Sequence, residues 1–262
     1  MEHTQDPLLA VENLSVKFRE TPILKRVSFA LRHNQIMGIV GGSGSGKSSL
    51  ALALLRLLPK YAEITGSAYF EGEDLFQKSE ASMRQIRGQK IGLILQDPIS
   101  SLDPLMTIGN QLIEGMLCHL KISKKEAKEK GLFLLESVGI SDPCARWNQY
   151  PHELSGGMCQ RIGIASALSL EPNLIIADEA TSSLDVTLQA EILELLLSIR
   201  KNRGTSILFI THDLAVLASL CDEVLVLQEG ALIEHQSCST FFSEPIHPFS
   251  KKLIESAKRR YV

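Results

Sequence analysis

The sequence predicts an α/β fold in which a parallel β-sheet is covered by helices. Short aliphatic strands alternate with helical segments along the chain, which is typical of a parallel sheet with right-handed crossovers. Aromatic residues make up only 5% of the chain, so aliphatic residues supply most of the apolar surface, as suits strands buried on both faces. A long helical stretch also separates two groups of strands, which indicates a helical insertion.

The first strands are predicted by apolar alternation over Leu9–Phe18 and over residues 27–31, and we expect them to form an antiparallel sheet. Residues 36–40 form a short apolar strand that runs into a glycine-rich loop and a helix of about residues 47–58. Another strand is predicted at residues 91–95.

Residues 97–170 are predicted to be mainly helical, with helices at 108–120, 124–138 and 158–170. Strands resume at 174–177, 207–210 and 224–227, and an amphipathic helix with an apolar stripe from Leu188 to Ile199 separates them. We therefore expect one domain over residues 1–262. Its core is 1–96 and 171–235, its helical insertion is 97–170, and its C-terminal extension is 236–262.

Composition narrows the class of protein. The net charge of −3 argues against a nucleic-acid binder that relies on a basic face. Five scattered cysteines without a CxxC pair fit neither a disulfide framework nor a zinc site, and therefore indicate a reducing compartment. No apolar stretch approaches the ~20 residues that span a bilayer, and the N-terminus lacks the features of a signal peptide. We expect a cytosolic chain that meets a membrane only through a partner.

The glycine-rich loop matches the phosphate-loop pattern G-x-x-x-x-G-K-[ST], between a buried strand and a helix. Its glycines allow backbone N–H groups to surround phosphate oxygens at the positive end of the helix. Lys47 is expected to reach the β- and γ-phosphates and the Ser48 hydroxyl to bind Mg²⁺. The nucleotide-binding residues predicted here are Gly41, Gly42, Ser43, Gly44, Ser45, Gly46, Lys47, Ser48 and Ser49.

Acidic residues end another apolar strand, because Asp178 and Glu179 directly follow residues 174–177. Buried carboxylates need a cation or a proton to offset their desolvation. We expect Asp178 to hold Mg²⁺ and Glu179 to polarise the attacking water. His212 follows the next strand and is expected at the γ-phosphate.

A second anion-binding cradle is predicted at Leu154, Ser155, Gly156, Gly157 and Met158, where a glycine pair and a serine begin another helix. One nucleotide cannot use two distant cradles of the same chain. A head-to-tail pair of chains solves this, since the second cradle of each then closes on the nucleotide of the other.

With these motifs in order, the chain resembles the nucleotide-binding subunits of ABC transporters, which have a P-loop NTPase fold with a RecA-like parallel core, an antiparallel β subdomain and a helical insertion. LSGGMCQR is similar to their signature motif, and the phosphate loop and LIIADE to their Walker A and B motifs. The resemblance implies an ATPase that uses ATP and Mg²⁺. It also implies that Phe18 stacks on adenine, Gln96 is the Q-loop glutamine that joins Ser48 and Asp178 on Mg²⁺, His212 is the switch histidine, and Asp185 belongs to a D-loop of residues 183–185.

A closer resemblance is to the branch that imports peptides and nickel, carried by residues 96–104, 150–158 and 177–193 and by HPF at 247–249. It implies an ATPase that powers a di- or oligopeptide importer on the cytoplasmic side of the inner membrane. The implied partners are a second ATPase subunit, homologous or identical, and two multi-span permease subunits. An extracytoplasmic substrate-binding protein would act indirectly, and no nucleic acid is expected.

Three positions depart from the family pattern without removing a catalytic group: Ala180, Cys159 and Phe18. A nickel or metal-chelate importer and a non-transport ABC ATPase are the alternatives. A regulatory module that only binds ATP is disfavoured, because Glu179 and His212 are both present.

Overall fold

The computed structural model describes residues 6–97, 99, 101–181 and 184–258. The strands of this part of the chain are β1 (Leu9–Phe18), β2 (Thr21–Leu31), β3 (Ile36–Gly41), β4 (Ala62–Phe70), β5 (Glu73–Asp74), β6 (Ile91–Ile94), β7 (Leu174–Asp178), β8 (Ser206–Ile210), β9 (Glu223–Gln228) and β10 (Ala231–Ser237). The helices are α1 (Lys47–Leu54), α2 (Glu80–Ile86), α3 (Ile108–His119), α4 (Lys124–Ser137), α5 (Pro143–Arg146), α6 (Gly156–Leu168), α7 (Val186–Arg203), α8 (Leu214–Leu220), α9 (Cys238–Ser243) and α10 (Pro248–Lys258).

The described residues of Met1–Met83 and Arg200–Val262 form a first compact unit with two sheets. One is antiparallel, in the order β2-β1-β4-β5. In the other, β3 lies between β8 and β9 and runs parallel to both, while β10 is antiparallel to β9. The predicted α/β class, with an antiparallel opening sheet and a parallel core, is confirmed.

β3 is the central strand of this parallel sheet, and all six of its residues are buried. A strand with neighbours on both edges satisfies its backbone hydrogen bonds without water, so it can be apolar throughout. Gly38 allows α8 to approach closely, because a Cβ at this position would lie 2.4 Å from Cδ1 of Leu217. The central strand therefore ends at a fixed point, from which the phosphate loop begins.

The described residues of Arg84–Ile199 form a second compact unit. Its two strands, β6 and β7, are parallel, and α3, α4 and α6 pack on one another. Trp147 is only 5% exposed and covers Gly109 and Gly131, where a Cβ would come within 2.0 and 2.8 Å of the indole ring. The single tryptophan is thus a core residue of the helical unit, which the sequence patterns do not predict.

Several boundaries differ from the predicted ones. The helix after the phosphate loop ends at Leu54 rather than near 58, because Arg56 has a positive φ of 53° and its guanidinium donates to the carbonyl of Lys78. The second strand begins at Thr21, not at 27, since Thr21 pairs with Phe18 in the hairpin. The sequence patterns also do not predict β4, β5, β10, α2, α8, α9 and α10. Within the described residues, no helix is both long and apolar enough to cross a membrane.

Candidate functional site

The phosphate loop joins β3 to α1, and its shape depends on glycine at two points. A Cβ at Gly41 would lie 2.2 Å from the carbonyl oxygen of Leu227. At Gly46, φ is +99°, and a Cβ would lie 2.7 Å from Cδ2 of Leu24 and 2.9 Å from the carbonyl oxygen of Ile23. Side chains at these positions would push the loop off β9 and β2, so the motif glycines are required by packing as well as by backbone conformation.

Lys47, the first residue of α1, lies across the loop that precedes it and is only 8% exposed. Its Nζ donates to the carbonyl oxygens of Gly41 and Gly42, both at 3.0 Å, and to Oγ of Ser45 at 3.4 Å. The ammonium group is therefore held over the loop, where phosphate oxygens would compete with these acceptors. Ser48 is exposed and Ser49 half-buried in the first turn of the helix.

His212 lies two residues beyond the end of β8 and is exposed. It borders a cavity of about 310 Å³, which the start of the phosphate loop also lines at Gly41, Gly42 and Ser43. Asp213 accepts hydrogen bonds from the backbone of Ala215 and Val216 and so begins α8 immediately after the histidine. The first unit thus brings the predicted phosphate loop and the predicted γ-phosphate histidine to one cavity.

The predicted adenine-stacking residue, Phe18, is the last residue of β1 and is half-buried. Its ring meets that of Tyr61 edge-on, with the centroids 5.9 Å apart. Tyr61 is not a predicted site residue. It precedes a strand that the sequence patterns do not predict, and only the pairing of β1 with β4 brings it next to Phe18.

In the second unit, β7 ends at the buried carboxylate of Asp178, which is 4% exposed. Glu179 follows with φ of 47°, in the left-handed region that non-glycine residues rarely adopt. Nε2 of Gln96 donates to Oε2 of Glu179 at 2.7 Å. The predicted Q-loop glutamine and the predicted catalytic carboxylate, 83 residues apart, are therefore in direct contact.

The signature segment begins α6. Oγ of Ser155 accepts from the backbone N–H of Met158 at 3.3 Å and caps the helix. Ser155, Gly157 and Met158 line a cavity of about 340 Å³ together with Asp185, whose carboxylate caps α7 through the N–H of Leu188. The predicted signature segment and the predicted D-loop residue Asp185 thus meet at one cavity, while Ser183 of the predicted D-loop lies outside the described residues.

Gln160 and Arg161, also in the signature segment, hold α6 in place, although neither is a predicted site residue. The buried Nε2 of Gln160 donates to the carbonyl of Ala180 at 2.7 Å, one residue beyond Glu179. Arg161 donates to the carbonyl of Val138 and pairs with Glu191, both at 2.7 Å. The signature motif marks these positions in the sequence, but their roles depend on partners that lie far away in the chain.

Cys159, one of the departures from the family pattern, lies on the core side of α6. Burial raises the pKa of its thiol, so the side chain stays protonated and packs as a small apolar group. The cysteine at position 159 therefore does not change the exposed start of α6.

Comparisons with known proteins agree with this arrangement. A model of the ABC transporter family matches residues 24–182. The chain is 45% identical to a probable peptide ABC transporter ATP-binding protein of Sinorhizobium fredii, over 97% of this chain and 78% of that protein. It is 45% identical to the oligopeptide transport ATP-binding protein OppD of Bacillus subtilis, over 95% and 71% of the two chains.

Solved structures show the same fold. The ATP-binding cassette MJ0796, in a dimeric post-hydrolysis state bound to ADP and Pi, matches with a TM-score of 0.79 at 25% identity, over 88% of this chain and 98% of that one. Another match is cbiO1 from Clostridium perfringens, described as part of the ABC transporter complex cbiONQ. Its TM-score is 0.77 at 28% identity, and the match covers 98% of this chain and 96% of that one.

Proposed function

The chain belongs to the ABC transporter family, and we propose that it is the ATP-hydrolysing subunit of an importer for dipeptides or oligopeptides. The contact between Gln96 and Glu179, at the end of the strand that carries Asp178, is the observation that carries the hydrolytic role. A carboxylate held by a neighbouring amide is positioned to orient and polarise an attacking water. Relatives named for peptide transport support the class of cargo.

Each motif binds a different part of ATP. Phe18 stacks on adenine, the loop from Gly41 to Ser49 surrounds the phosphates, and His212 contacts the γ-phosphate. Catalysis of this kind depends on positioning and charge stabilisation, because the protein forms no covalent bond to the phosphoryl group. The ATP site of one subunit is completed by Leu154–Met158 of the other subunit. Asp185 links the two ATP sites. The dimeric state of the MJ0796 cassette supports this pairing.

Mg²⁺ is the metal that the family implies, and three residues of this chain are proposed to hold it: Ser48, Gln96 and Asp178. Each supplies a side-chain oxygen, the kind of donor that Mg²⁺ prefers. Ser48 is exposed in the first turn of α1, and Asp178 is a buried carboxylate that a cation would stabilise. The bound ion would neutralise negative charge that develops on the phosphates.

Membrane partners are proposed to bind the start of the helical insertion, residues 97–170. Two apolar side chains are exposed in or next to the segment 97–104: Ile99 is 57% exposed and Leu105 85% exposed. This segment directly follows Gln96, and Gln96 contacts Glu179. A movement of the Glu179 carboxylate would therefore be passed through Gln96 to the segment. The subunit would thus work at the cytoplasmic face of the inner membrane, with a second ATPase, two permeases and, indirectly, a binding protein.

Uptake by cells tests the proposed cargo. Cells that lack this chain are supplied with the wild type or with Glu179→Gln, and uptake of a labelled dipeptide, a labelled pentapeptide and Ni²⁺ is measured. We expect the wild type alone to restore peptide uptake. Restoration of Ni²⁺ uptake without peptide uptake would overturn the peptide assignment, and no change in any uptake would overturn the assignment to import.

A further inference from the structure

The C-terminal helix α10 borders the phosphate-loop cavity, although the nucleotide site as assigned contains no residue of this helix. Leu253, Ser256 and Ala257 line the same cavity as the start of the loop. Phe249, in the first turn of α10, lies beside the loop at Gly42, and its Cζ is 3.8 Å from the position that a Cβ on Gly42 would occupy. Among the described residues, and apart from the glycine's chain neighbours, Cζ is the only heavy atom within 4 Å of that position.

A buried carboxylate on β10 fixes the start of α10. Glu234 is 7% exposed, and its Oε1 accepts from the backbone N–H of Ile246 at 2.9 Å. Its Oε2 accepts from the N–H of His247 at 2.9 Å and from Oγ of Ser250 at 2.6 Å. Hydrogen bonds to a charged acceptor are about twice as strong as neutral ones, so this carboxylate ties residues 246–250 firmly to the sheet.

Two further features fix the backbone of α10 at Phe249. Nδ1 of His247 accepts from the backbone N–H of Phe249 at 3.2 Å, which satisfies a donor in the first turn of the helix. Ile254, one turn beyond Ser250, is buried. The backbone that carries Phe249 is therefore held on both sides along the chain, by the hydrogen bonds of residues 246–250 and by the packing of α10.

We propose that Phe249 is a positioning residue for the phosphate loop. Glu234 anchors the start of α10, and the ring of Phe249 supports the loop at Gly42 in the conformation that receives ATP. A glycine-rich loop has many accessible conformations, and restricting them before the ligand arrives increases affinity. The proposal rests on the assignment of this loop as the ATP site.

The test compares variants of the whole chain by equilibrium binding of ATP and by steady-state hydrolysis. Phe249→Ala should weaken ATP binding roughly three- to tenfold and raise KM by the same factor, with kcat retained. Phe249→Leu keeps an apolar side chain at the contact and should recover most of the affinity. Phe133→Ala, which removes the same ring from an exposed position on α4, is the matched control and should leave KM unchanged.

Glu234→Gln tests the anchor, because the amide places a donor where the carboxylate accepts hydrogen bonds. It should raise KM, as Phe249→Ala does. In the double variant, Glu234→Gln should raise KM little beyond the effect of Phe249→Ala alone, since both changes act through one contact.

Three results would overturn the proposal. One is unchanged ATP affinity in Phe249→Ala. Another is a double variant in which the KM effects of Glu234→Gln and Phe249→Ala add fully. The third is a lower kcat at unchanged KM, accompanied by a lower thermal unfolding temperature, since this would show only a loss of folded protein. Failure of the wild type to bind ATP would instead refute the assignment of the loop.

Discussion

Glu179 combines an unusual backbone conformation with a direct contact to Gln96. Its φ of 47° lies in a region that costs non-glycine residues about 1–3 kcal/mol. The hydrogen bond of 2.7 Å from Gln96 sets the direction of the carboxylate. Its neighbour Asp178 is buried at the end of β7. Two adjacent acids therefore occupy different environments, as their different proposed roles require.

Glu179→Gln is expected to reduce ATP turnover by ~10²–10⁴ and to leave ATP binding intact, because the amide cannot accept a proton from water. Hydrolysis is measured at saturating ATP, and binding is measured separately. Glu194→Gln, the same change at an exposed position of α7, should keep normal turnover. Near-normal hydrolysis by Glu179→Gln would refute the role assigned to this residue.

Comparison of Gly46→Ala with Gly44→Ala separates the effect of backbone strain in the phosphate loop from the effect of packing. Both residues have a positive φ, so each substitution should destabilise the fold by about 1–2 kcal/mol through backbone strain. Gly46→Ala should destabilise it further, because its Cβ meets Leu24 and Ile23, whereas Gly44 has open space around it. Urea unfolding without nucleotide measures the difference. Equal losses in the two variants would contradict the packing account.

The motif residues could be predicted from the sequence because their chemistry depends on local spacing. Lys47, Glu179 and Ser155 lie where strand-loop-helix patterns place them, whereas Gln96 is implied by the family resemblance. Tyr61 could not be predicted in this way, because its place beside Phe18 depends on β4 pairing with β1. The same holds for Glu234, which is one acid among many until the hydrogen bonds of residues 246–250 identify it.

At the scale of elements, the start of α6 allows helix stability and nucleotide-driven pairing to be tested apart. Gly156→Asp introduces no clash, since an added Cβ at Gly156 meets nothing within 4 Å. A carboxylate in the first turn favours the helix, but it would repel the phosphates of the ATP that a partner carries. We expect unchanged or slightly higher thermal stability together with loss of ATP-dependent association, measured by sedimentation in the presence of the second ATPase.

Gly156→Asn is the matched control, because it has nearly the same shape without the charge. It should impair association far less than Gly156→Asp. If the aspartate variant still associates on addition of ATP, the assignment of this cradle to the nucleotide of the partner is wrong.

The anchor of α10 should be visible in the acid stability of the protein. Burial acts to raise the pKa of Glu234, but hydrogen bonds from Ser250, Ile246 and His247 outweigh it, and the pKa lies below its ordinary value of 4.5. A lowered folded-state pKa stabilises the fold above the unfolded value, and this contribution is lost as pH falls through the folded value. Glu234→Gln should therefore lower the free energy of unfolding at neutral pH and make it less dependent on pH below 4.5. A wild-type advantage that stays constant from about pH 7 to 3.5 would contradict this.

Element boundaries were less predictable than element types. Helix α1 stops early because Arg56 turns the chain and bonds to the carbonyl of Lys78, a tertiary contact that no local pattern contains. β4 escapes prediction because its apolar alternation is interrupted at Gly66, whose φ of +95° and close approach to the backbone of Asn13 belong to an irregular stretch of the β1–β4 pairing. Fully buried apolar strands such as β3 and β7, in contrast, lie close to where their composition places them.

At the scale of the whole molecule, the α/β architecture follows from the alternation of apolar strands and helices. The C-terminal part does not, because β10, α9 and α10 lie beyond the alternation of strands and helices that the sequence patterns predict. Glu234 and Phe249 lie in this part of the chain. The proposal that α10 supports the phosphate loop therefore depends on the structure and not on any sequence motif.

The central claim, an ATPase that powers transport through membrane partners, is tested most directly by purifying the tagged chain from detergent-solubilised native membranes and identifying what accompanies it. We expect two multi-span proteins and a second ATPase subunit, released from the membrane fraction only with detergent. Recovery from the soluble fraction alone, or together with ribosomes or DNA-repair proteins, would contradict the transport function.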